Sequence, residues 1–223
     1  MPMSKSNRVL VGLVAVVSWT GLLLQASVSF PGMLAKGLTL TDAFIRFFSY
    51  FTTLTNTFIA VDSAICFARP EGRWSKSLIH ASLETCLAVS IFFVSAGFTL
   101  LLRNLVHFTG AGLLADNILH YAVTAVFLVY WLRCTSRRKL PWTHSAWWLL
   151  YPFLYFLYVL VQGWRTGLYP YPFIDAARIG YERTLINGTV LLVLFWLGGV
   201  LLIGAGRFFH CPSTEPTQLL ISA

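Results

Sequence analysis

Six apolar runs, each about long enough to cross a bilayer, follow one another along the chain at residues 9–30, 43–67, 78–102, 112–132, 145–164 and 184–206. Short clusters of charge, Pro and Gly separate them: "PGMLAKG", "ARPEGRWSK", "RNLVHFTG", "RCTSRRKLPW" and "RTGLYPYPFIDAARIGYER". Crossing hydrocarbon takes ~20 mostly apolar residues as a helix, and only helices and closed barrels satisfy every backbone group there. The pattern therefore predicts an all-α polytopic membrane protein, a single bundle of six transmembrane helices that uses residues 1–223 as one domain. The first run exceeds the ~7–15 apolar residues of a secretory signal and reads as the first span. The tail 211–223, "CPSTEPTQLLISA", reads as flexible.

Inside the second run the pattern changes. Residues 47–62, "FFSYFTTLTNTFIAVD", mix hydroxyls into apolar sequence and end on a carboxylate. On a helix at ~100° per residue, Ser49, Thr52, Thr53, Asn56, Ala60 and Ser63 fall on one stripe, and Phe47, Phe48, Phe51, Leu54, Phe58 and Ile59 cover most of the rest. Such a seam must face protein or a water-filled cavity. Ser and Thr also serve as plain helix–helix glue. Asn56 and Asp62 argue for more, because each costs more to bury unpaired.

The fourth run carries a second polar face. Asp116, Asn117, His120 and Thr124 lie within about one quadrant, with Asp116 one turn before His120, where a carboxylate can orient the imidazole. Counted from the same membrane surface at ~1.5 Å per residue, Ser49 lies ~9 Å deep, His120 ~12 Å and Thr52 ~14 Å. A hydroxyl and an imidazole at one depth are the minimum for an activated nucleophile. In the fifth run Tyr151, Tyr155, Tyr158 and Gln162 share a face, either as packing or as phenols lining a cavity. Asp62 and Glu84 lie at similar depth from their shared loop; they either share a proton or pair elsewhere, Glu84 with His80 one turn before it or with a loop Arg.

Composition and charge sharpen the picture in two ways. The chain is 57% hydrophobic and 11% charged, with mean hydropathy +0.71, whereas soluble domains run near ~25% charged. The net charge of +8 forms no patterned basic motif, which excludes nucleic acid as a partner. Instead Lys5, Arg8, Arg69, Arg73, Lys76, Arg133, Arg137, Arg138, Lys139 and Arg207 fall on one side of a six-span topology. Lys36, Arg46, Arg103, Arg165, Arg178 and Arg183 fall on the other. Ten against six places both termini in the cytoplasm. Cys66, Cys86, Cys134 and Cys211 form no C-x-x-C pair and none has a His at metal-ligand spacing in the chain, so they read as free thiols and no metal site is expected.

The stretches "RFFSYFTTLTN" (46–56), "LLADNILHYAV" (113–123) and "GLYPYPFID" (167–175) occur together. In combination they resemble the bacterial Pr-six-Pr family of integral membrane proteins over nearly the whole chain. That family is distantly similar to the androgen-induced membrane proteins, which hydrolyse fatty acid esters of hydroxy fatty acids with a Thr and a His. The resemblance implies a bacterial cytoplasmic (inner) membrane location, gives His120 the histidine role, and matches Tyr171, Pro172, Phe173 and Asp175 to the family's aromatic turn. For the nucleophile it leaves two registers, one placing Ser49 and the other Thr52 at the Thr position.

The leading expectation is an intramembrane hydrolase of lipid esters. Thr52 or Ser49 attacks, His120 acts as base and then acid, and Asp116 orients it. Asn56 or Asn117 donates to the oxyanion, and Tyr155, Tyr171 and Asp175 complete the substrate side. Membrane lipids or a lipid ester are the partner, and no cofactor or metal is required. The alternatives are a small transporter or channel with Asp62, Glu84 and Arg46 on its path, or a lipid-binding protein without turnover.

Overall fold

The structure is a computed structural model and describes residues 4–70, 72, 77–135 and 140–208; the predicted flexible tail lies outside them. Helices are the only regular elements among the described residues. In chain order they are α1 (Lys5–Ala35), α2 (Leu40–Phe48), α3 (Phe51–Ala68), α4 (Leu78–Gly97), α5 (Gly110–Asn117), α6 (Val123–Cys134), α7 (His144–Trp148), α8 (Leu150–Thr166), α9 (Ala176–Ile179) and α10 (Tyr181–Phe208). A π-helical turn, Phe98–Leu102, extends α4, and a second, Ile118–Ala122, fuses α5 to α6. Among the described residues, six helices are long and apolar enough to cross a membrane: Lys5–Ala35, Phe51–Ala68, Ile79–Leu102, Gly110–Cys134, His144–Thr166 and Tyr181–Arg207.

Helix starts follow local chemistry. Ser4, Thr39 and Ser77 each accept a hydrogen bond from the backbone N–H three residues on, which caps α1, α2 and α4. Gly167 ends α8 with φ of 70°, a conformation that costs any side chain more than glycine.

A central cluster joins α1, α3, α4 and α6 through Val14, Ile59, Leu87, Ile91, Val123 and Phe127. A second, with Val89, Trp148, Phe195 and Ile203, joins α4, α7 and α10. Outward, the spans expose Val16, Leu23, Phe92, Leu100, Val190 and Leu201. Large apolar side chains around the whole bundle need lipid rather than water as solvent, and the chain is a multi-pass membrane protein by this measure.

The second span differs from the continuous helix predicted over 43–67. It breaks at Ser49–Tyr50, so α2 is a separate short helix and α3 alone is long enough to cross. Tyr50 is extended, with φ of −89° and ψ of 129°. The Ser49 hydroxyl donates back to the carbonyl of Ile45 at 2.7 Å, and the Ser49 carbonyl accepts from Tyr155 at 2.8 Å. Polar side chains that offer the backbone other partners end helices in this way. The break gives α3 a fresh N-terminus near the start of the polar seam.

Candidate active site

The start of α3 puts Thr52 in its first turn. From the fourth span the π-turn Ile118–Ala122 brings His120 opposite, with its Nε2 3.3 Å from the Thr52 hydroxyl. On the other side of the ring, Nδ1 lies 3.0 Å from Asp116 Oδ1 and 2.9 Å from the Asp116 carbonyl. Both neighbours of Nδ1 only accept, so Nδ1 carries the hydrogen and Nε2 offers its lone pair to Thr52. That is the tautomer a general base requires. His120 is 9% exposed and Asp116 6%.

The two π-turns meet at this point. Phe98, the first residue of one, stacks on His120 in the other with ring centroids 3.9 Å apart and planes 21° apart. Beside them Thr99 and Tyr121 share a hydrogen bond of 3.2 Å between hydroxyls. A π-turn adds a residue to the helical repeat and is often found at functional sites. Here it also rephases the fourth span. Asp116, His120 and Thr124 turn inward, whereas Asn117, predicted on the same quadrant, is exposed on the surface.

Asn56 is a tie rather than an oxyanion donor. Its Nδ2 donates to the Thr52 carbonyl at 2.8 Å and to the Leu119 carbonyl at 3.3 Å, so both amide hydrogens are engaged. The second bond crosses from α3 to the π-turn and holds Thr52 and His120 in register. Asn56→Ala leaves the buried Leu119 carbonyl short of this donor, a loss of about 1–3 kcal/mol. A lower thermal midpoint in detergent is expected; an unchanged midpoint would show that the tie is not made.

Ser49, the rival to Thr52, faces elsewhere. Its hydroxyl pairs with Tyr158 at 2.9 Å in addition to Ile45. The tyrosine face of α8 forms a ladder against the break: Tyr158 to the Ser49 side chain, Tyr155 to the Ser49 carbonyl, and Tyr151 to the Thr55 hydroxyl at 2.9 Å. These phenols are structural partners of the second span, and Tyr155 also lines the cavity described next.

The turn "YPYPF" closes the site from above. Tyr171 and Phe173 stack with centroids 5.3 Å apart, and the Phe173 carbonyl accepts from Asn187 of α10 at 2.8 Å. The Tyr171 hydroxyl accepts from the backbone N–H of Phe51 at 3.1 Å and lies against the side chain and backbone of Thr52. Burial pushes the Tyr171 phenol above its usual range, so it stays protonated. Asp175 does not reach this point: its Oδ1 accepts from the backbone N–H of Arg178 at 3.2 Å and caps α9.

Thr52 opens on a cavity of about 110 Å³. Phe93, Phe98, Leu101, Phe156, Leu191 and Phe195 are among its walls, with Tyr155 and Tyr171 near Thr52. His120 is not in the lining and stands behind Thr52 and Phe98. The hydroxyl is thus the atom of the Thr52–His120–Asp116 group that a ligand meets.

A second buried polar group lies at the far end of α3, where Asp62 and Cys66 meet His80 and Glu84 of α4. Spacing along the chain gave no metal signal; antiparallel packing brings a thiol and an imidazole together from positions 66 and 80. Mirror symmetry about the loop was the available clue. Cys66 and His80 each stand two residues from the facing helix ends, and Asp62 and Glu84 six. Among the described cysteines, Cys66, Cys86 and Cys134 are in no disulfide.

Comparison with family models, curated proteins and solved structures gives no match to this chain, so the geometry of the site carries the functional reading.

Proposed function

We propose that the protein is an intramembrane hydrolase of lipid esters in which Thr52 is the nucleophile and His120 the base. The carrying observation is the position of the Thr52 hydroxyl, 3.3 Å from His120 Nε2 on one side and open to an apolar cavity on the other. A threonine that served only as helix glue would not also face an apolar cavity.

The reaction balances on the residues present. Thr52 Oγ1 attacks the ester carbonyl while its proton passes to His120 Nε2, and the imidazolium is stabilised by the Asp116 carboxylate. The first backbone N–H groups of a helix lack intrahelical partners. The Tyr171 hydroxyl takes up those of Phe51 and Thr52, keeps its own hydrogen, and donates it to the developing oxyanion. The intermediate collapses, His120 protonates the departing alcohol, and the acyl group remains on Thr52. Water, deprotonated by His120, then releases the fatty acid and restores the threonine.

The walls suit an acyl chain and offer it no charge. In the orientation that Lys and Arg favour, the site lies in the outer half of the bilayer, and lipid enters laterally. A bacterial cytoplasmic membrane and kinship with the Pr-six-Pr family belong to the same proposal. Labelling of purified protein with a fluorophosphonate, followed by peptide mapping, is expected to mark Thr52. No label together with no hydrolysis of a fluorogenic long-chain ester would sink the reading.

Gly188 offers a test of where the acyl chain lies. A Cβ built there falls 2.3 Å from the tip of the Phe156 ring, and both residues line the cavity. Gly188→Ala pushes the ring into the space. It is expected to lower kcat/KM for long-chain esters about tenfold while sparing short-chain esters, in line with what one methylene is worth in an apolar pocket. An unchanged long-to-short ratio would place the chain elsewhere.

A further inference from the structure

At the end of the bundle opposite Thr52, about 15 Å along α3, four side chains of metal-binding type converge. Asp62 and Cys66 stand one turn apart on α3, His80 and Glu84 one turn apart on α4. All four are buried, and the atoms they offer lie within 4.8 Å of one another. This is the way bundle cores build metal sites, from i,i+3 or i,i+4 pairs on facing helices.

The imidazole is the centre of the group. His80 Nε2 lies 3.2 Å from Cys66 Sγ, 3.2 Å from Asp62 Oδ1, 3.3 Å from Asp62 Oδ2 and 3.4 Å from Glu84 Oε1. A ring nitrogen has one hydrogen or one lone pair to give. It cannot serve a thiol and two carboxylates at once by hydrogen bonding. A cation among them can, and the dimensions suit it. Tetrahedral zinc, with bonds of ~2.0–2.3 Å, holds its ligands ~3.3–3.8 Å apart. The separations around His80 already lie at the short edge of that range.

We propose that Asp62, Cys66, His80 and Glu84 form a binding site for a single divalent transition metal of the zinc class. One thiol, one imidazole and two carboxylates match the borderline donor set that zinc takes, whereas magnesium and calcium take oxygen alone. On binding, Cys66 releases its thiol proton and His80 presents a neutral Nε2, so protons leave and no electron moves. The ion offsets two of the three anionic ligands. Tyr130 and Thr135 donate hydrogen bonds to the two oxygens of Glu84, as outer partners of metal carboxylates do, and these spread the third charge. The site staples α3 to α4 and stands independently of the ester chemistry.

The test is the metal itself. Full-length protein, purified in detergent without chelator, is expected to carry close to one zinc per chain by elemental analysis. Cobalt(II) loaded in its place is expected to give visible d–d bands of four-coordination and a near-ultraviolet thiolate-to-cobalt band. Cys66→Ser removes the near-ultraviolet band, and His80→Ala lowers metal affinity about 10–100-fold or more. Protein that holds no metal and develops no cobalt bands overturns the proposal. So does a cobalt spectrum without the thiolate band that is identical in wild type and Cys66→Ser. Should His80→Ala fail to fold, as judged by size exclusion and circular dichroism, the wild-type and Cys66→Ser spectra decide.

Discussion

Thr52→Ala is expected to cost at least about a thousandfold in ester hydrolysis, while Ser49→Ala stays within about threefold of wild type. Alanine at 52 removes the oxygen that attacks, and no second hydroxyl pairs with His120 Nε2 among the hydrogen bonds of the site. Alanine at 49 removes the bonds to Ile45 and Tyr158, each worth about 1 kcal/mol. It leaves the main-chain carbonyl that Tyr155 holds, so the break between α2 and α3 survives. Thr52→Ser, which restores a hydroxyl at the same place, should recover a large part of the rate. The measurement is kcat/KM for a long-chain fluorogenic ester on detergent-solubilised protein of matched elution profile. An active Thr52→Ala, or a dead Ser49→Ala that still folds, would assign the nucleophile wrongly here.

The second large effect separates the base from its orienter. His120→Ala should lose about 10³–10⁴-fold, because the base and the acid are the same ring. Asp116→Asn should lose less, about 10²-fold, for a reason specific to this site. In serine proteases the equivalent change costs about 10⁴-fold because the imidazole adopts the wrong tautomer. Here the Asp116 backbone carbonyl also accepts from Nδ1, at 2.9 Å, and it survives the substitution. The tautomer is kept, and only the negative charge that steadies the imidazolium is lost. Parallel assays of the two variants check this. Equal losses would mean that the carbonyl does not hold the ring.

Much of the architecture was legible from hydropathy alone. Each of the six apolar runs overlaps a helix long enough to cross, because in lipid the helix is the local solution to backbone hydrogen bonding and needs no partner to specify it. The polar seam was legible for the same reason: helical period is a property of a single strand of sequence. The break at Ser49–Tyr50 was not. "FFSYFTT" has no Pro or Gly, and the helix ends there because Tyr155 of α8, more than a hundred residues away, holds the Ser49 carbonyl. Asn117 was misplaced for a related reason. Nothing in "DNILHYA" announces a π-turn, and one extra residue per turn is enough to move a neighbour from the inside to the surface.

Asn56 and Asp175 show a further limit of reading residue types. Both carry groups suited to catalysis, yet Asn56 spends its amide on two carbonyls and Asp175 caps a short helix. Which role a polar side chain takes depends on the orphan groups nearby, and these exist only once helices have ended and packed.

From the sequence alone followed the solvent, the number of spans, the two polar faces and a short list of chemically able residues, since each depends on composition or on spacing within one helix. The tertiary structure decided which members of that list meet. It turned Thr52 toward His120 and Ser49 toward Tyr158, set Tyr171 over the start of α3, and joined Cys66 to His80 across an antiparallel pair. Contacts between helices depend on rotation and register about two axes at once. A single chain's periodicity carries one of those axes and is silent on the other.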